Sequence, residues 1–183
     1  MPETPRHIVA LWALGLVVVV VLGVRYLGRG DDAAPASAPA IQVGESGGGT
    51  SRVTVHVAGA VLVCGGLGGV MEAACRGARS RGGRTVGLLP GLDRGAANGW
   101  VEVAVPTGLG EARNTLVVRA ADAIVAVGGA WGTLSEIALG LRAGLPVVGI
   151  GTWELSRGGE AVEGISAMDN PSEAVAEALV RLS

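Results

Sequence analysis

The first feature that could do chemistry is a glycine-rich loop that follows an apolar, β-branched run. It contains Gly65, Gly66, Gly68 and Gly69 and precedes a predicted helix. Because glycine has no Cβ, such a loop can approach a ligand closely and expose the first N–H groups of the helix to a phosphate or another anion. Met71 occupies the third glycine position of the dinucleotide fingerprint, and the chain has no lysine for a P-loop. The loop is therefore either an anion site or an ordinary strand-to-helix turn.

A second loop of the same kind follows another apolar run. It contains Gly128, Gly129 and Gly132, with Thr133 and Glu136 directly after the glycines. Thr133 and Glu136 have the spacing of a capping box, in which each side chain binds the backbone N–H of the other residue. That structural role competes with a role in ligand binding. Since open α/β sheets bind ligands at the carboxyl ends of their strands, the two loops together favour a phosphate-bearing ligand.

A basic residue lies between the two loops. Arg113 falls in the first turn of a predicted helix, where its planar guanidinium could reach a ligand phosphate, and Asn114 beside it is a second candidate contact. The alternative for Arg113 is a solvated charge or a pair with Glu111 or Asp122. For Arg119 in the same helix we prefer the solvated interpretation.

Two further features border the loops. Trp131, inside the second loop, either stacks a ligand base or packs over the loop itself. Asp93 and Arg94 belong to a glycine-rich segment, Gly91–Trp100, that could close over the site as a lid.

The elements that must position these residues alternate between short apolar runs and helical segments. This alternation predicts an α/β fold with a mostly parallel sheet, covered by helices on both faces. Strands are predicted at Ala60–Cys64, Thr85–Leu89, Val101–Val105, Ala123–Val127 and Pro146–Ile150, and helices near Gly69–Ser80, Glu111–Ala121, Leu134–Ala143 and Pro171–Leu182.

The composition excludes several classes of protein. The 183 residues carry a formal net charge of −2, and all 14 basic residues are arginine without a basic stripe, so no nucleic-acid partner is expected. Two cysteines and two histidines are too few for a disulfide framework or a structural zinc site, and no metal site is predicted. Cys64 and Cys75 are predicted to be buried thiols rather than a redox pair.

The N-terminal part differs from the rest. Ile8–Val24 is apolar and uncharged, which predicts a transmembrane anchor within residues 1–27. A buried core helix and a signal peptide cleaved near Ala36-Ser37-Ala38 are the alternatives. Residues 28–51 are rich in Gly, Ala, Ser and Pro and predict a flexible linker, so the domain covers residues 52–183.

Three ordered stretches, Gly65–Ala74, Arg113–Asp122 and Gly128–Glu136, resemble the lysine-decarboxylase-like Rossmann family. That family includes the LONELY GUY phosphoribohydrolases and the molybdenum-cofactor carrier proteins, and the resemblance covers residues 59–182. It implies a Rossmann-like sheet, a homodimer, and a nucleotide-like ligand over the glycine loops. Decarboxylation is not implied, since a chain without lysine cannot hold pyridoxal phosphate.

Two departures from the phosphoribohydrolase pattern favour the carrier branch. The hydrolases have proline where this chain has Val127, and lysine where it has Asn114. Arg113 and Glu136 match residues implicated in hydrolysis, where an acid beside an arginine-held phosphate stabilises positive charge at C1′. The resemblance thus implies binding of a nucleotide or of the molybdenum cofactor, with hydrolysis of a nucleoside 5′-monophosphate as the enzyme alternative.

The family's first strand–helix unit is missing before the first glycine loop. Residues 1–60 instead resemble the competence protein ComEA, with a membrane span, a linker and the first strand of an SLBB domain. Arg52–Val57 alternates like a strand, but Ala58-Gly59 is too short for a parallel crossover to the next strand. We therefore expect unpaired central strand edges, reduced stability and a partly opened ligand site.

The leading hypothesis is a membrane-tethered, Rossmann-like protein that binds a nucleotide or another phosphate-bearing ligand. The alternatives are a phosphoribohydrolase and a ComEA-like surface protein. Contact with the membrane is predicted through residues 8–27, as a single-pass protein. The side on which the domain lies is open: the ComEA resemblance implies export, whereas a nucleotide ligand and reduced cysteines favour the cytoplasm.

Overall fold

The computed structural model describes residues 18–23, 42–44, 54–56 and 60–182. In chain order the strands and helices are β1 (Val18–Gly23), β2 (Gln42–Gly44), β3 (Thr54–His56), β4 (Val61–Cys64), α1 (Val70–Arg79), β5 (Arg84–Leu89), β6 (Val103–Pro106), α2 (Asn114–Arg119), β7 (Ala123–Val127), α3 (Trp131–Arg142), β8 (Val147–Ile150), β9 (Ser156–Arg157), β10 (Glu160–Ala161), β11 (Ile165–Ala167) and α4 (Pro171–Val180). Short 3-10 helices lie at Arg94–Ala96 and Gly110–Arg113.

The centre of the fold is a seven-stranded sheet in the order β11-β8-β7-β1-β4-β5-β6. β4, β5 and β6 are parallel on one side of β1, and β7, β8 and β11 are parallel on the other. The chain is therefore a mixed α/β protein with a mostly parallel, Rossmann-like sheet, as its sequence predicted.

Side chains alternate between the two faces of the sheet and fill separate cores. On β7, Ile124 packs with the helices α2 and α3, where Val117 and Ile137 are fully buried. The neighbouring Val125 faces α4 and packs against Ala174. Leu62, Met71 and the two cysteines form a third cluster beneath α1. Each fully buried Val, Leu or Ile side chain contributes about 1.5–3 kcal/mol to the stability of the fold. This burial holds helices on both faces of the sheet.

The five predicted strands and the four predicted helices are present, with ends that shift by a few residues. The predicted helix Glu111–Ala121 begins as the 3-10 turn and becomes α-helical at Asn114. The last helix begins at Pro171, where Asn170 accepts a hydrogen bond from the backbone N–H of Glu173 at 3.0 Å. The strand β11 and the β9–β10 hairpin were not predicted from the sequence.

The central position of the sheet is filled by β1, which lies within the predicted membrane anchor. β1 is antiparallel to both neighbours, and Val21 is paired with Val63 of β4 and with Ile124 of β7. Two expectations are thereby corrected: residues 18–23 form a strand and not part of a transmembrane helix, and the edges of β4 and β7 are not left unpaired. The physical reason is that a valine run suits a strand buried on both faces as well as it suits a membrane span.

No helix within the described ranges is long and apolar enough to span a membrane. The remainder of the predicted anchor, residues 1–17 and 24–27, lies outside the described residues. Within the predicted linker, residues 42–44 form β2, which pairs with β3 as an antiparallel ladder. The other residues of the predicted linker lie outside the described residues. β3 lies within the strand predicted at Arg52–Val57, so that prediction is confirmed for Thr54–His56.

Replacing Val21 by proline tests whether β1 belongs to the sheet. Proline has no N–H and is poorly tolerated in a strand paired on both edges, so we expect Val21→Pro to lower the melting temperature of the detergent-solubilised full chain by roughly 5 °C or more. Val21→Ile, which keeps a β-branched side chain, is the control and should melt like the unmodified chain. Equal melting temperatures for all three chains would show that the segment lies outside the folded domain.

Candidate functional site

Both glycine loops lie at the carboxyl ends of strands that flank β1. The first, Gly65–Gly69, connects β4 to α1, and the second, Gly128–Ala130, connects β7 to α3. Gly66 has a φ of 75° and Gly128 a φ of 73°, a left-handed conformation that favours glycine. Because one strand separates β4 from β7, the loops stand roughly 10 Å apart, a distance that a long side chain can bridge.

The side chain of Arg113 lies between the first loop and α3. It ends the 3-10 turn before α2, and its guanidinium lies directly against Gly65. A Cβ at Gly65 would be 2.7 Å from Cζ of Arg113 and 2.9 Å from Sδ of Met71, closer than real atoms approach. A side chain at position 65 would therefore force the side chains of Arg113 and Met71 to shift, and the structure places the guanidinium of Arg113 directly beside the first loop.

Arg113 also contacts the first turns of α3 through Glu136. Nη1 of Arg113 is 3.4 Å from Oε1 of Glu136, and the two side chains are only 12% and 7% exposed. The Nε of Arg113 is buried and has no hydrogen-bond partner within the described part of the chain. The alternative pairing of Arg113 with Glu111 or Asp122 is not found among the described ion pairs.

Burial raises the pKa of Glu136 to about 7, although the positive charge of Arg113 favours the ionised form, and Cys64 nearby adds to the rise. At neutral pH the carboxyl group is thus divided between its neutral and its ionised form. Arg113 therefore has a counter-ion that compensates only part of its charge. A cation desolvated in this way favours a further anionic partner.

Asn114 connects Arg113 to α3. Its Oδ1 accepts a hydrogen bond from Nη1 of Arg113 at 2.6 Å, and its Nδ2 donates to Oγ of Ser135 at 3.0 Å and to the carbonyl of Gly132 at 3.4 Å. Asn114 is buried, and these contacts engage both ends of its amide. The structure therefore places Asn114 beside the site as a positioning residue for Arg113.

The capping-box alternative for Thr133 and Glu136 is wrong. α3 begins at Trp131, three residues before the predicted start, and its N-cap residue Ala130 provides no side-chain hydrogen bond. Thr133 is instead inside the first turn, 1% exposed, and its Oγ1 has no hydrogen-bond partner among the described residues. A buried hydroxyl in that state costs about 1–3 kcal/mol, which an oxygen-rich ligand or a water could offset.

The two cysteines lie beneath the first loop. Their Sγ atoms are 3.6 Å apart, both residues are buried, and Sγ of Cys64 accepts a hydrogen bond from the N–H of Gly66 at 3.4 Å. Hydrogen bonding from Cys75 lowers the pKa of Cys64, whereas the contact with Cys64 and burial raise that of Cys75. The prediction of buried thiols is confirmed.

Two tryptophans border the second loop. Trp153, in the segment after β8, donates from Nε1 to the carbonyl of Ala130 at 3.3 Å and lies against Gly129. Trp131 is 77% exposed, and its ring centroid is 5.3 Å from that of Trp153 at an interplanar angle of 37°. Packing over the loop is thus the role of Trp153, and Trp131 stays largely open to solvent.

A family model described as the SLOG cluster4 family matches residues 24–175. The chain belongs to the SLOG cluster4 family. The match begins before the first glycine loop and includes both loops, Arg113 and Glu136. It supports the predicted membership of the lysine-decarboxylase-like and molybdenum-cofactor-carrier group, whereas the ComEA resemblance of residues 1–60 stays a prediction.

The chain is also similar to several individual proteins. A protein of Archaeoglobus fulgidus is 40% identical over 117 residues, which cover 64% of this chain and 73% of that protein. The molybdenum cofactor carrier protein of Chlamydomonas reinhardtii is 32% identical with a TM-score of 0.54, over 67% of this chain and 76% of that chain. The molybdenum cofactor binding protein of Rippkaea orientalis is 38% identical with a TM-score of 0.45, over 51% of this chain and 58% of that chain. This chain therefore spans less than two thirds of the Rippkaea orientalis protein.

In this SLOG cluster4 protein, two residues at the loops were missed by the sequence analysis. Asn98 binds the first loop through three hydrogen bonds, from its N–H and Nδ2 to the carbonyl of Gly66 at 2.8 and 3.2 Å, and from Nδ2 to that of Leu67 at 2.8 Å. Trp153 supports the second loop. An Asn-Gly pair signals a turn in the sequence, but nothing local indicates which carbonyls it binds.

The predicted lid residues have internal partners. Asp93 caps the 3-10 turn by accepting from the N–H of Gly95 at 2.8 Å, and Nη1 of Arg94 donates to the carbonyl of Ala104 at 2.6 Å. Together with the contacts of Asn98, these bonds attach the Gly91–Trp100 segment to the sheet and to the first loop. The segment is a fixed support of the site and not a free lid.

Thr133→Val tests whether the buried hydroxyl lacks a partner in the free SLOG cluster4 protein. Valine has nearly the same shape, so no hydrogen bond is lost and we expect the free energy of unfolding in urea to stay equal or to rise by about 1 kcal/mol. Thr133→Ser keeps the hydroxyl and removes a methyl group, which should cost about 1 kcal/mol. A loss of more than about 1 kcal/mol in Thr133→Val would mean that the hydroxyl is already satisfied.

Proposed function

We propose that this chain is a carrier-type binding protein that holds the phosphate group of a nucleotide or of the molybdenum cofactor between its two glycine loops. Arg113 is the charged anchor in this proposal. The single observation that carries it is the largely buried guanidinium of Arg113, which lies against Gly65 and 3.4 Å from Oε1 of Glu136. The name of the Chlamydomonas reinhardtii protein supports the choice of a cofactor carrier.

The donors around Arg113 suit a phosphate. α1 and α3 both begin without a side-chain cap, so the first N–H groups of each helix are available to an anion. Thr133 adds a buried hydroxyl without a partner in the described chain. A phosphate offers several acceptor oxygens, which can satisfy the Arg113 fork, the hydroxyl and backbone N–H groups together.

The same donor set fits the phosphate end of the molybdenum cofactor. When bound, that cofactor supplies its redox chemistry to the enzyme that receives it, and the residues described here would bind and orient it. Among the described residues, no group of three histidine, cysteine or acidic side chains is arranged to hold a metal ion. In this proposal the protein therefore holds such a cofactor through its phosphate and its ring system.

Removing the charge of Arg113 tests the proposal. Arg113→Met is expected to weaken binding of adenosine 5′-monophosphate at least about tenfold, because a charge-assisted hydrogen bond contributes about 1.5–3 kcal/mol. The affinity is measured by calorimetric titration at pH 6. At this pH Glu136 is mostly neutral, so the variant does not contain an ionised Glu136 without its partner. Arg119→Met is the matched control, an exposed arginine at the end of α2, and should bind like the unmodified chain. Equal affinity in Arg113→Met would contradict the proposal.

The pH dependence of anion binding follows from the raised pKa of Glu136. As the pH rises through about 7, Glu136 ionises, pairs more strongly with Arg113 and repels an anion. Sulfate keeps its charge over this range, so its affinity should be constant below pH 6 and fall above pH 7, by at most about tenfold per pH unit for one linked proton. Glu136→Gln should remove this dependence. A sulfate affinity that is flat in the unmodified chain would argue against the linkage.

One observation favours the enzyme alternative. A buried carboxyl group with a pKa of about 7 suits general acid–base work, and Glu136 stands beside the arginine that would hold the phosphate. Against it, the position after Arg113 is Asn114, which binds α3 and supplies no second cation. Chromatography of adenosine 5′-monophosphate after incubation distinguishes the two functions, since a carrier binds the nucleotide without releasing adenine.

Homodimer assembly and a membrane location remain proposals that the resemblance and the N-terminal sequence support. Large apolar side chains are exposed on the edge strand β6 and on α2, namely Val103, Val105 and Leu116, and are available to a second copy. Sedimentation velocity of the purified chain measures the assembly. A membrane anchor and β1 would need the same residues 18–23, and the Val21→Pro comparison distinguishes the two.

A further inference from the structure

We propose that Trp131 is the platform on which the planar ring system of the ligand stacks, which makes the site selective for phosphorylated heteroaromatic compounds over simple sugar phosphates. This inference rests on the proposed function, since it assumes that the phosphate lies at Arg113 and the glycine loops. It goes further by naming the residue that recognises the rest of the ligand.

The position of Trp131 in α3 places its ring at the open end of the helix. Trp131 is the first residue of α3, and Cα–Cβ bonds in a helix tilt toward the N-terminus. Its side chain therefore extends toward the space in front of the first turn, where the free N–H groups point. Ser135 is four residues later on the same face, and its Oγ accepts from Nδ2 of Asn114 at 3.0 Å. Trp131 thus stands on the side of α3 that borders Asn114, whose Oδ1 accepts a hydrogen bond from Nη1 of Arg113 at 2.6 Å.

Trp153 holds the platform in place. Its indole N–H binds the carbonyl of Ala130, directly before Trp131, and its ring forms a tilted pair with that of Trp131. One ring of the pair is thereby anchored to the loop, while the other is 77% exposed. An aromatic side chain fixed before binding loses little conformational entropy when a ligand covers it.

The chemistry of the exposed ring selects the ligand class. A tryptophan face attracts flat, polarisable rings, and a base stacked on an aromatic side chain gains about 1–3 kcal/mol, or about fivefold to 150-fold in affinity. A sugar phosphate offers the same phosphate but no flat ring. The ligand class is therefore a purine- or pterin-like heterocycle that carries a phosphate.

The test compares adenosine 5′-monophosphate with ribose 5-phosphate, which share the phosphoribosyl group and differ in the base. By calorimetry we expect the unmodified full chain to prefer the nucleotide at least about fivefold. Trp131→Ala should abolish this preference and leave the affinity for ribose 5-phosphate unchanged, while Trp131→Phe should keep most of it. Nucleotide binding should also quench tryptophan emission in the unmodified chain and in the control Trp100→Phe, but much less in Trp131→Phe.

Three outcomes would overturn the inference. The first is an equal affinity of the unmodified chain for the two ligands, and the second is a preference for the nucleotide that survives in Trp131→Ala. The third is an equal loss of affinity for both ligands in Trp131→Ala together with a change in its sedimentation, which would assign Trp131 to a contact between copies. Failure of the proposed function looks different. In that case the unmodified chain would not bind ribose 5-phosphate, or Arg113→Met would bind it with unchanged affinity. Either result is independent of how substitutions of Trp131 change the preference for the nucleotide.

Discussion

The site depends on one buried contact, between Arg113 and Glu136. Taking a guanidinium and a carboxyl group out of water costs several kcal/mol per ion, and only a well-formed pair offsets that cost. Here the pair is 3.4 Å long, and burial raises the pKa of the carboxyl group to about 7. The surroundings of Arg113 therefore hold a positive charge that is only partly neutralised. An anion that enters the site completes the neutralisation, which is the physical basis for treating it as a binding site.

The rest of the fold holds this pair in place. β1 lies between β4 and β7, and Arg113, at the start of α2, contacts Gly65 of the first loop and Glu136 of α3. Gly65 provides the room for the guanidinium, and Asn114 fixes its direction by binding α3. Asn98 attaches the first loop to the segment before β6, and Trp153 supports the second. Because each contact connects two elements that are distant in sequence, the site requires a folded sheet.

The sequence was sufficient for the elements with strong periodicity and for the loops between them. Apolar strands bounded by glycine, and a Pro171 start with an Asn170 cap, are local signals, and local signals gave these elements within a few residues. The sequence also singled out Gly65, Arg113 and Glu136, and the structure brings Gly65 and Glu136 into contact with Arg113. Their role in binding an anion stays a prediction.

The features that could not be predicted from the sequence depend on tertiary contacts. The valine run of β1 suits a membrane span as well as a central strand. It is a strand here because it pairs with the edges of β4 and β7, which its own sequence does not reveal. Thr133 and Glu136 had the spacing of a cap, yet α3 begins at Trp131, and Glu136 instead binds Arg113 from another element. Asn98 and Trp153 act on backbone carbonyls far away in the chain. No pattern within one segment contains those partners.

The most direct test of the central claim is a measurement of the pKa of Glu136 itself. Carbon-13 NMR of glutamate side-chain carboxyl groups, with the Glu136 signal assigned by its loss in Glu136→Gln, follows its titration without and with saturating sulfate. The account predicts a pKa of about 7 in the free protein and a higher value with sulfate, because a bound anion engages Arg113 and disfavours a second negative charge. A pKa near the ordinary value for glutamate, or one that sulfate does not change, would contradict it.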